Sequence, residues 1–599
     1  MAGRDSPWRR KIDLTVEICG SAGDGTLAAG EILTTTLAFQ GFHVLSFDSY
    51  PAEIRGFGKC VAHVRVSDQP VHSLSGTVDI LISLDDSYSI QQLPTLQPEA
   101  VVLFDNQPLA PVLEEDQCIA GHLGPGMILY GAPFHELSQQ ATASGRSRNL
   151  VALGAFAALF EMNLEKFLES LRQKFKRKPR VVDEVAAAFN AGVDYVAGNV
   201  LKLDEFSFRR DQESETAAYE LLTGNEAAAR GAIDAGCKLY AGYPITPTTK
   251  IMEILSEELP RHGGIVAQVE DEISAIGMVS GAAAVGVRAM TGTSGPGLCL
   301  MTEFIGWDIM AEVPVVIIDS QRGGPATGLP TKTEQSDLYM ALFAGNGDAP
   351  RIVVAPTNAG ECHYWVAEAL YLAEKFQVPV IILMDLFLSN RNENVILKPV
   401  PQEKLRANLF PTPEELAKGY LRQALSERGV SPRTLPGTEN GYWVISGLEQ
   451  DIYGTPVYDA KNHTNMTEKR FTKLKTALAE DIPPATRFGC EGKADLGVMS
   501  WGSTTGAAIE AVERAAAEGR KVAGLKQLVL NPFHREPVAR FLDDCKQVLV
   551  PELNRGGQFA HWMGMHFSRE FLRMNQVTAR PITHTEIYNE IRKVLEQKP

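Results

Sequence analysis

Side chains able to do acid–base and anion chemistry follow three apolar segments between residues 239 and 322. Thr246 comes after the strand-like run KLYAGYP, where we expect it to cap the next helix with Pro247 in the first helical position. Glu272 follows GIVAQV, and Arg322 follows VPVVIID. A partly desolvated Glu can give and take a proton, while Arg binds a carboxylate bidentately. Because ligands bind at the carboxyl ends of parallel strands, we expect these three groups at one sheet edge.

Two further turns at the same predicted edge add polar groups. The turn after RAMTGT contains Thr293 and Ser294, and the loop DSQRGGPATGLPTKTEQSD carries Thr331 and Lys332 beyond Arg322. A loop this rich in glycine and positive charge is a candidate clamp for an anion. Each feature also has a purely structural alternative: a well-made helix cap for Thr246, an acidic partner of a helix dipole for Glu272 and an ordinary surface loop for the segment with Arg322.

A glycine turn near the N-terminus offers a different kind of site. Gly20, Gly23 and Gly25 in CGSAGDG lie between a strand pattern and a helix pattern, and Asp48 follows at the end of the next strand. The dinucleotide fingerprint needs a second glycine where Ala22 stands. A nucleotide-binding dehydrogenase is therefore an alternative of another class, alongside a purely structural turn.

The same turn also contains the GDG that begins the magnesium–diphosphate motif of thiamine enzymes. That motif needs an asparagine about 25 to 30 residues downstream, and no asparagine lies between Gly25 and Val101. If thiamine diphosphate takes part, another chain must bind its diphosphate.

Composition limits the classes of protein. The chain has 599 residues and a formal net charge of -16, which disfavours nucleic acid and anionic membranes as partners. No apolar run reaches the ~18 to 20 residues of a membrane span, and no signal-peptide pattern opens the chain. We therefore expect a cytoplasmic protein. Eight scattered cysteines without a CxxC pair predict neither a disulfide framework nor a metal site on this chain.

Strand and helix patterns alternate over most of the chain and predict an α/β fold with several doubly wound domains. The central one should have a parallel sheet, because its strands are continuous runs of Val, Ile and Leu. The predicted segments are an α/β domain at 10–199, a linker at 200–216, the central α/β domain at 217–400, an irregular arm with few regular elements at 401–488 and a smaller α/β domain at 489–599.

Four segments in order resemble the 2-oxoacid:ferredoxin oxidoreductase family. They are LLTGNEAAARGAIDAGCKLYAGYPITPTT, VEDEISAIGMVSGAAAVGVRAMTGTSGPGLCLMTE, SQRGGPATGLPTKTEQSD and VLVPELNRGGQF. The likeness is to α subunits with a γ domain fused ahead, and above all to those acting on 2-oxoglutarate. It implies a γ-type first domain, a central domain that binds the aminopyrimidine of thiamine diphosphate, and a last domain like the C-terminal domain of transketolase.

The resemblance also implies roles for residues. Glu272 would hydrogen-bond the aminopyrimidine, and cofactor contacts would come from Tyr243, Pro244, Ile245, Thr293 and Ser294. Thr246 would lie near the thiazolium and the 2-oxo acid group, Arg322 would hold a substrate carboxylate, and Thr331 and Lys332 would shape the far end of the pocket.

The implied enzyme is one half of a complex. A β subunit would carry Mg²⁺, the diphosphate site and a 4Fe-4S cluster in an (αβ)2 assembly, and coenzyme A and ferredoxin would be co-substrates. The implied reaction is oxidation of 2-oxoglutarate to succinyl-CoA and CO2, or the reverse carboxylation. A branched-chain or broad-range 2-oxoacid enzyme and a non-catalytic scaffold are the alternatives. The turn residues Ser21 and Ala22, Gln450 and Thr248 depart from the usual family pattern.

Overall fold

Val, Ile, Leu and Ala fill strands that are buried on both faces, as expected where helices cover each side of a sheet. The computed structural model describes residues 12–51, 58–106, 118–142, 147–176, 179–210 and 219–597. The described chain forms two compact units, of which the first contains residues up to 222 with two short later segments, 391–396 and 583–586. Residues 10–11 of the predicted first domain and 211–216 of the predicted linker lie outside the described ranges.

The first unit is built on an eight-stranded sheet with the order β6-β5-β4-β1-β3-β2-β14-β7. Its strands are β1 (Asp13–Ser21), β2 (His43–Ser49), β3 (Lys59–Ser67), β4 (Val78–Ser83), β5 (Leu96–Asp105), β6 (Ile128–Ala132), β7 (Glu220–Thr223) and β14 (Asn392–Val395). Its helices are α1 (Thr26–Phe39), α2 (Asp86–Ser89), α3 (Phe134–Ala141), α4 (Arg148–Leu159), α5 (Leu164–Phe175) and α6 (Pro179–Asn199). β1, β4, β5 and β6 run parallel, whereas β3 is antiparallel to both of its neighbours.

The second unit contains a seven-stranded sheet with the order β18-β12-β13-β11-β10-β8-β9. Its strands are β8 (Leu239–Gly242), β9 (Ile265–Gln268), β10 (Ala289–Thr293), β11 (Val316–Gln321), β12 (Ile352–Val354), β13 (Val380–Asp385) and β18 (Val529–Asn531). The helices of this part are α7 (Gly224–Asp234), α8 (Thr249–Glu258), α9 (Glu272–Ala284), α10 (Gly295–Leu300), α11 (Thr302–Ala311), α12 (Leu338–Phe343), α13 (Ala359–Phe376), α14 (Leu386–Asn390), α15 (Pro413–Lys418) and α16 (Ala460–Glu480). All strands but β18 are parallel, so the carboxyl ends of β8, β10 and β11 share one edge.

A five-stranded sheet completes the second unit, with the order β15-β17-β16-β19-β20. Its strands are β15 (Thr486–Gly489), β16 (Ala494–Ser500), β17 (Val522–Lys526), β19 (Cys545–Glu552) and β20 (Leu572–Asn575). The helices of this segment are α17 (Thr504–Ala517), α18 (Arg535–Asp544), α19 (Gln558–Phe567) and α20 (His584–Glu596). The predicted α/β class with parallel-rich sheets is confirmed; the exact domain boundaries remain predictions.

The arm contains more regular structure than its sequence predicts. The expectation of few regular elements at 401–488 is wrong for residues 460–480, which form the 21-residue helix α16. Its buried positions include Lys469, Arg470 and Lys473 beside only a few apolar residues. A helix that buries cations lacks the apolar stripe from which helices are recognised.

Three features of the described residues bear on the predicted protein class. No helix in the described ranges has the length and apolar character that a membrane crossing requires. All eight cysteines are free thiols. Within those ranges, no group of three or more His, Cys, Asp or Glu residues is arranged to hold a metal ion.

Candidate active site

The turn after β8 differs from its predicted form. α8 begins at Thr249, with Thr248 in the N-cap position, and the peptide bond between Thr246 and Pro247 is cis. The carbonyl of Ile245 accepts both the Thr249 N–H at 3.1 Å and the Thr248 hydroxyl at 3.1 Å. Because this turn closes after Pro247, the prediction that Thr246 caps the helix is wrong. Thr246 instead lies in the loop, half-buried.

A buried asparagine on α7 holds the backbone of this loop by hydrogen bonding. Asn225, only 1% exposed, donates through Nδ2 to the carbonyl of Pro247 at 3.0 Å and to Oδ1 of Asn390 at 3.2 Å. The neighbouring Tyr243 has 42% of its surface exposed, whereas Pro244 and Ile245 are half-buried. The loop therefore has a fixed backbone and an accessible tyrosine.

Glu272 is the first residue of α9 and is 6% exposed. Asp271 caps the helix by accepting the Ser274 N–H at 2.7 Å, so Glu272 is not needed for that purpose. In the described ranges, no group donates a hydrogen bond to the Glu272 carboxylate. A Cβ placed on Gly297 would lie 2.6 Å from Oε1 of Glu272 and would also meet the Thr293 hydroxyl. The carboxylate therefore lies directly against the α10 turn.

Thr293 ends β10 and Ser294 is the N-cap residue of α10, and both are fully buried. The carbonyl of Ser294 accepts the N–H groups of Gly297 at 2.8 Å and Leu298 at 3.0 Å. The Ser294 hydroxyl is buried and has no hydrogen-bond partner among the described residues. The turn is thus held by its backbone and leaves a hydroxyl unused.

Arg322 joins the turn after β8 to the end of β11. Its Nη1 donates to the carbonyl oxygen of Thr246 at 2.8 Å, and the side chain is 7% exposed. Burial lowers the pKa of Arg322, and the negative charges of Asp337 and Glu272 oppose that shift. The structure therefore brings Thr246, Glu272 and Arg322 to one edge, as the sequence predicts.

Thr331 and Lys332 lie on a short hairpin that returns to Arg322. The N–H of Gly323 donates to the carbonyl of Lys332 at 2.9 Å, and the Lys332 N–H donates to Leu329 at 3.0 Å. Both side chains are half-buried. Thr331 and Lys332 are thus attached to the segment that carries Arg322, and their contact with a substrate remains a prediction.

Several polar residues that support this loop were not singled out from the sequence. Gln321 accepts the Asp337 N–H at 3.0 Å, and Asn554 donates to the carbonyl of Gln335 at 2.9 Å. Gln335 and Asp319 are fully buried. The only sequence signal is a polar residue at the end of an apolar strand, as in VVIID, since the contacts join residues far apart in the chain.

The residues at this edge fit an aminopyrimidine ring such as that of thiamine diphosphate. Glu272 offers a buried carboxylate with no donor among the described residues, and the glycine at 297 leaves it room. A ring nitrogen able to share a proton is a natural partner for such a group.

The N-terminal glycine turn is arranged differently from a diphosphate cradle. The carboxylate of Asp24 accepts the Ser21 N–H at 2.8 Å and forms an ion pair with Arg148. Asn149 donates to the carbonyl of Gly25 at 3.2 Å. Burial raises the pKa of Asp48 to about 6. The Asp24 carboxylate thus takes up a backbone N–H of the turn that a diphosphate would otherwise use, which disfavours the dinucleotide alternative.

Three family models match successive parts of the chain. Residues 15–195 match pyruvate ferredoxin/flavodoxin oxidoreductase. Residues 230–469 match the thiamine-diphosphate-binding domain of pyruvate flavodoxin/ferredoxin oxidoreductase. Residues 494–581 match core domain II of pyruvate:ferredoxin oxidoreductase.

Relatives match over nearly the whole length. A 2-oxoglutarate oxidoreductase subunit of Mycobacterium tuberculosis is 30% identical over 92% of this chain and 87% of its own. The α subunit of 2-oxoacid:ferredoxin oxidoreductase 2 of Aeropyrum pernix is 29% identical over 98% of both chains. A solved 2-oxoglutarate:ferredoxin oxidoreductase of Magnetococcus marinus, which has 2-oxoglutarate, coenzyme A and succinyl-CoA bound, is 33% identical with a TM-score of 0.91, covering 98% of this chain and 100% of its own. The chain therefore belongs to the 2-oxoacid:ferredoxin oxidoreductase family.

Proposed function

We propose that this chain is the α subunit of a 2-oxoglutarate:ferredoxin oxidoreductase, which oxidises 2-oxoglutarate with coenzyme A to succinyl-CoA and CO2. The observation that carries the proposal is the placement of Arg322. Its guanidinium is buried beside Thr246 and Glu272, and among the described residues its hydrogen-bond acceptor is a carbonyl oxygen and not a carboxylate. Such a cation can bind the carboxylate of a 2-oxoacid. Names of relatives from Mycobacterium tuberculosis and Methanothermobacter marburgensis support the choice of 2-oxoglutarate.

The side chains of this chain position the cofactor and the substrate, and Glu272 exchanges a proton. Thiamine diphosphate supplies the carbanion chemistry when bound. Glu272 shares a proton with the aminopyrimidine, and the surrounding Tyr243, Pro244, Ile245, Thr293 and Ser294 fix the ring. Arg322 orients the substrate carboxylate, Thr246 lies beside the 2-oxo group, and the buried turns exclude water, which strengthens these interactions.

The proposed complex includes a β subunit with Mg²⁺, the diphosphate site and a 4Fe-4S cluster, assembled as (αβ)2, with ferredoxin as acceptor. The names of the relatives as α subunits support a multi-subunit enzyme. Co-purification with the β chain, an iron–sulfur spectrum and a thiamine assay test it. A β chain that is fully active alone would instead support the scaffold alternative.

The role of Glu272 is tested by Glu272→Gln in the reconstituted complex. The amide cannot take up a proton, so turnover should fall at least about 100-fold. Asp271→Asn is the matched control, because it changes the adjacent carboxylate and keeps a residue that caps helices well. Near-normal turnover of Glu272→Gln would show that the cofactor assignment is wrong.

Substrate choice is tested at the hairpin. Lys332→Ala and Thr331→Ala should raise the KM for 2-oxoglutarate about tenfold and leave that for pyruvate nearly unchanged, because only 2-oxoglutarate has a distal carboxylate. Lys250→Ala removes an exposed lysine on α8 and serves as control. Equal losses for the two substrates would favour the branched-chain or broad-range alternative.

A further inference from the structure

Two carboxyl groups at the carboxyl end of β11 have no part in the function proposed above. Asp319 lies on β11, in register with Thr293 of β10, and is fully buried. Both of its carboxyl oxygens lack a hydrogen-bond partner in the described part of the chain. A buried carboxylate left without donors is costly, whereas a carboxylic acid that keeps its proton avoids most of that cost.

Asp337 lies against the same turn. Its N–H is held by Oε1 of Gln321 at 3.0 Å, and a Cβ placed on Gly295 would lie 2.6 Å from its Oδ2. This oxygen is buried and, among the described residues, has no hydrogen-bond partner. Gly295 therefore admits the carboxyl group without providing a hydrogen bond from a side chain.

Different charges act on the two carboxyls. Burial raises the pKa of Asp337 to about 7; the negative charge of Glu334 adds to the rise and the positive charge of Arg322 opposes it. Burial and the charge of Asp337 raise the pKa of Asp319. Burial raises the pKa of Cys299 on α10, and the negative charges of Asp337 and Asp319 raise it further. The negative charge of Glu272 on α9 opposes the lowering of the Arg322 pKa by burial.

We propose that Asp319 and Asp337 form a proton-holding carboxyl pair that sets the net charge beside Arg322 and so tunes its affinity for the carboxylate of the 2-oxoacid. The proposal rests on the proposed role of Arg322. With a proton on Asp337, the guanidinium charge is available to the substrate. When Asp337 releases that proton to solvent, its carboxylate compensates the guanidinium and weakens anion binding. Asp319 and Asp337 are positioning residues that act through Arg322.

The test is the KM for 2-oxoglutarate of the reconstituted complex, measured from about pH 6 to about pH 8.5 at saturating coenzyme A and ferredoxin. In the unmodified enzyme KM should rise about tenfold over this range, as a neighbouring charge at partial screening can produce. Asp337→Asn should keep KM low and independent of pH, with kcat little changed. Glu334→Gln should move the rise to lower pH, because the negative charge of Glu334 raises the pKa of Asp337.

Controls separate the pair from its surroundings. Asp308→Asn changes another fully buried carboxyl, on α11, which accepts a hydrogen bond from Ser280 at 3.1 Å, and it should leave the profile unaltered. The proposal is overturned if Asp337→Asn keeps the pH dependence or raises KM at every pH. If that variant does not fold, Glu334→Gln decides, and an unshifted profile overturns the proposal.

Arg322→Ala separates the proposed role of Arg322 from that of the carboxyl pair. A raised KM in this variant together with an unchanged profile in Asp337→Asn would reject the carboxyl pair alone. An unchanged KM in Arg322→Ala would reject the proposed role of Arg322, and the pair with it.

Discussion

At the scale of single residues, the site depends on close approach as much as on reactive groups. Glu272 can lie against the start of α10 only because residue 297 has no side chain. Gly295 similarly admits Asp337. Both glycines belong to the turn TSGPG, whose value in the sequence is its small volume rather than its chemistry.

The first prediction concerns this volume. In Gly297→Ala the new methyl group would displace Glu272 or Thr293, so cofactor affinity in the reconstituted complex should fall at least about tenfold, an effect of about 1.4 kcal/mol. Titration of thiamine diphosphate against turnover measures it.

Gly281→Ala is the matched control. Its Cβ would meet no atom within 4 Å and lies inside α9, so the change should stabilise the chain by about 0.5–1 kcal/mol. Thermal unfolding of the two variants separates displacement of Glu272 from a general effect of alanine. Unchanged cofactor affinity in Gly297→Ala would contradict the contact.

At the scale of elements, ion pairs hold α16 against the end of α11. The Glu312 carboxylate is 3% exposed and forms ion pairs with Lys469 at 2.5 Å, Lys473 at 3.1 Å and Arg422 at 3.1 Å. Burial alone would raise the pKa of Glu312, but these cations lower it below its ordinary value. Burial lowers the pKa of Lys469 to about 8. One carboxylate thus holds two helix residues and the arm residue Arg422 around the end of α11.

Removing that carboxylate should destabilise the element strongly. Glu312→Gln leaves buried cations without a counter-charge, and the expected loss is about 3–5 kcal/mol in denaturant unfolding. Since the folded pKa of Glu312 is depressed, its contribution is complete above its unfolded pKa and is lost as the pH falls toward its folded pKa.

A surface carboxylate on α16 itself is the control. Glu480, at the end of α16, pairs with Arg428 at 2.7 Å and Lys375 at 3.0 Å, and its side chain is 33% exposed. Glu480→Gln should cost no more than about 1 kcal/mol. Similar losses in the two variants would contradict a special role of the buried group.

At the scale of the whole molecule, a segment distant in sequence supports the loop of the candidate site in the second unit. Asn554, after β19, donates to the carbonyl of Gln335 and accepts the N–H of Gly557 at 2.6 Å. The Gln335 N–H in turn donates to the carbonyl of Leu553 at 2.8 Å. The segment LNRGGQF therefore has a structural use in the loop that follows Arg322.

Asn554→Ala should loosen that loop. Loss of these buried hydrogen bonds should make amide hydrogen exchange in residues 322–337 about tenfold faster, as expected from about 1–1.5 kcal/mol of lost local stability. Asn575→Ala, which loses a hydrogen bond to the carbonyl of Arg555, is the control. Unchanged exchange in 322–337 would show that the support lies elsewhere.

Much of the fold was predictable because its signals are local. Continuous apolar strands alternating with helices indicated the parallel sheets, and the acidic run 270–272 marked the start of α9. The cap at Thr246 was misjudged, since the helix begins only after Pro247, at Thr249. The apolar run VAGLKQLVL contributes to two strands, β17 and β18, which join different sheets.

The sequence by itself determined the α/β class, the order of the motifs and the residues that end the strands of the cofactor domain, because periodicity, caps and glycine turns depend on neighbours a few positions away. Tertiary structure alone decided that Arg322 bonds the backbone of Thr246, 76 residues distant, that no described residue donates a hydrogen bond to Asp319 and that α16 buries lysines around Glu312. These contacts depend on strand order and on which helix covers which face, so no local pattern encodes them.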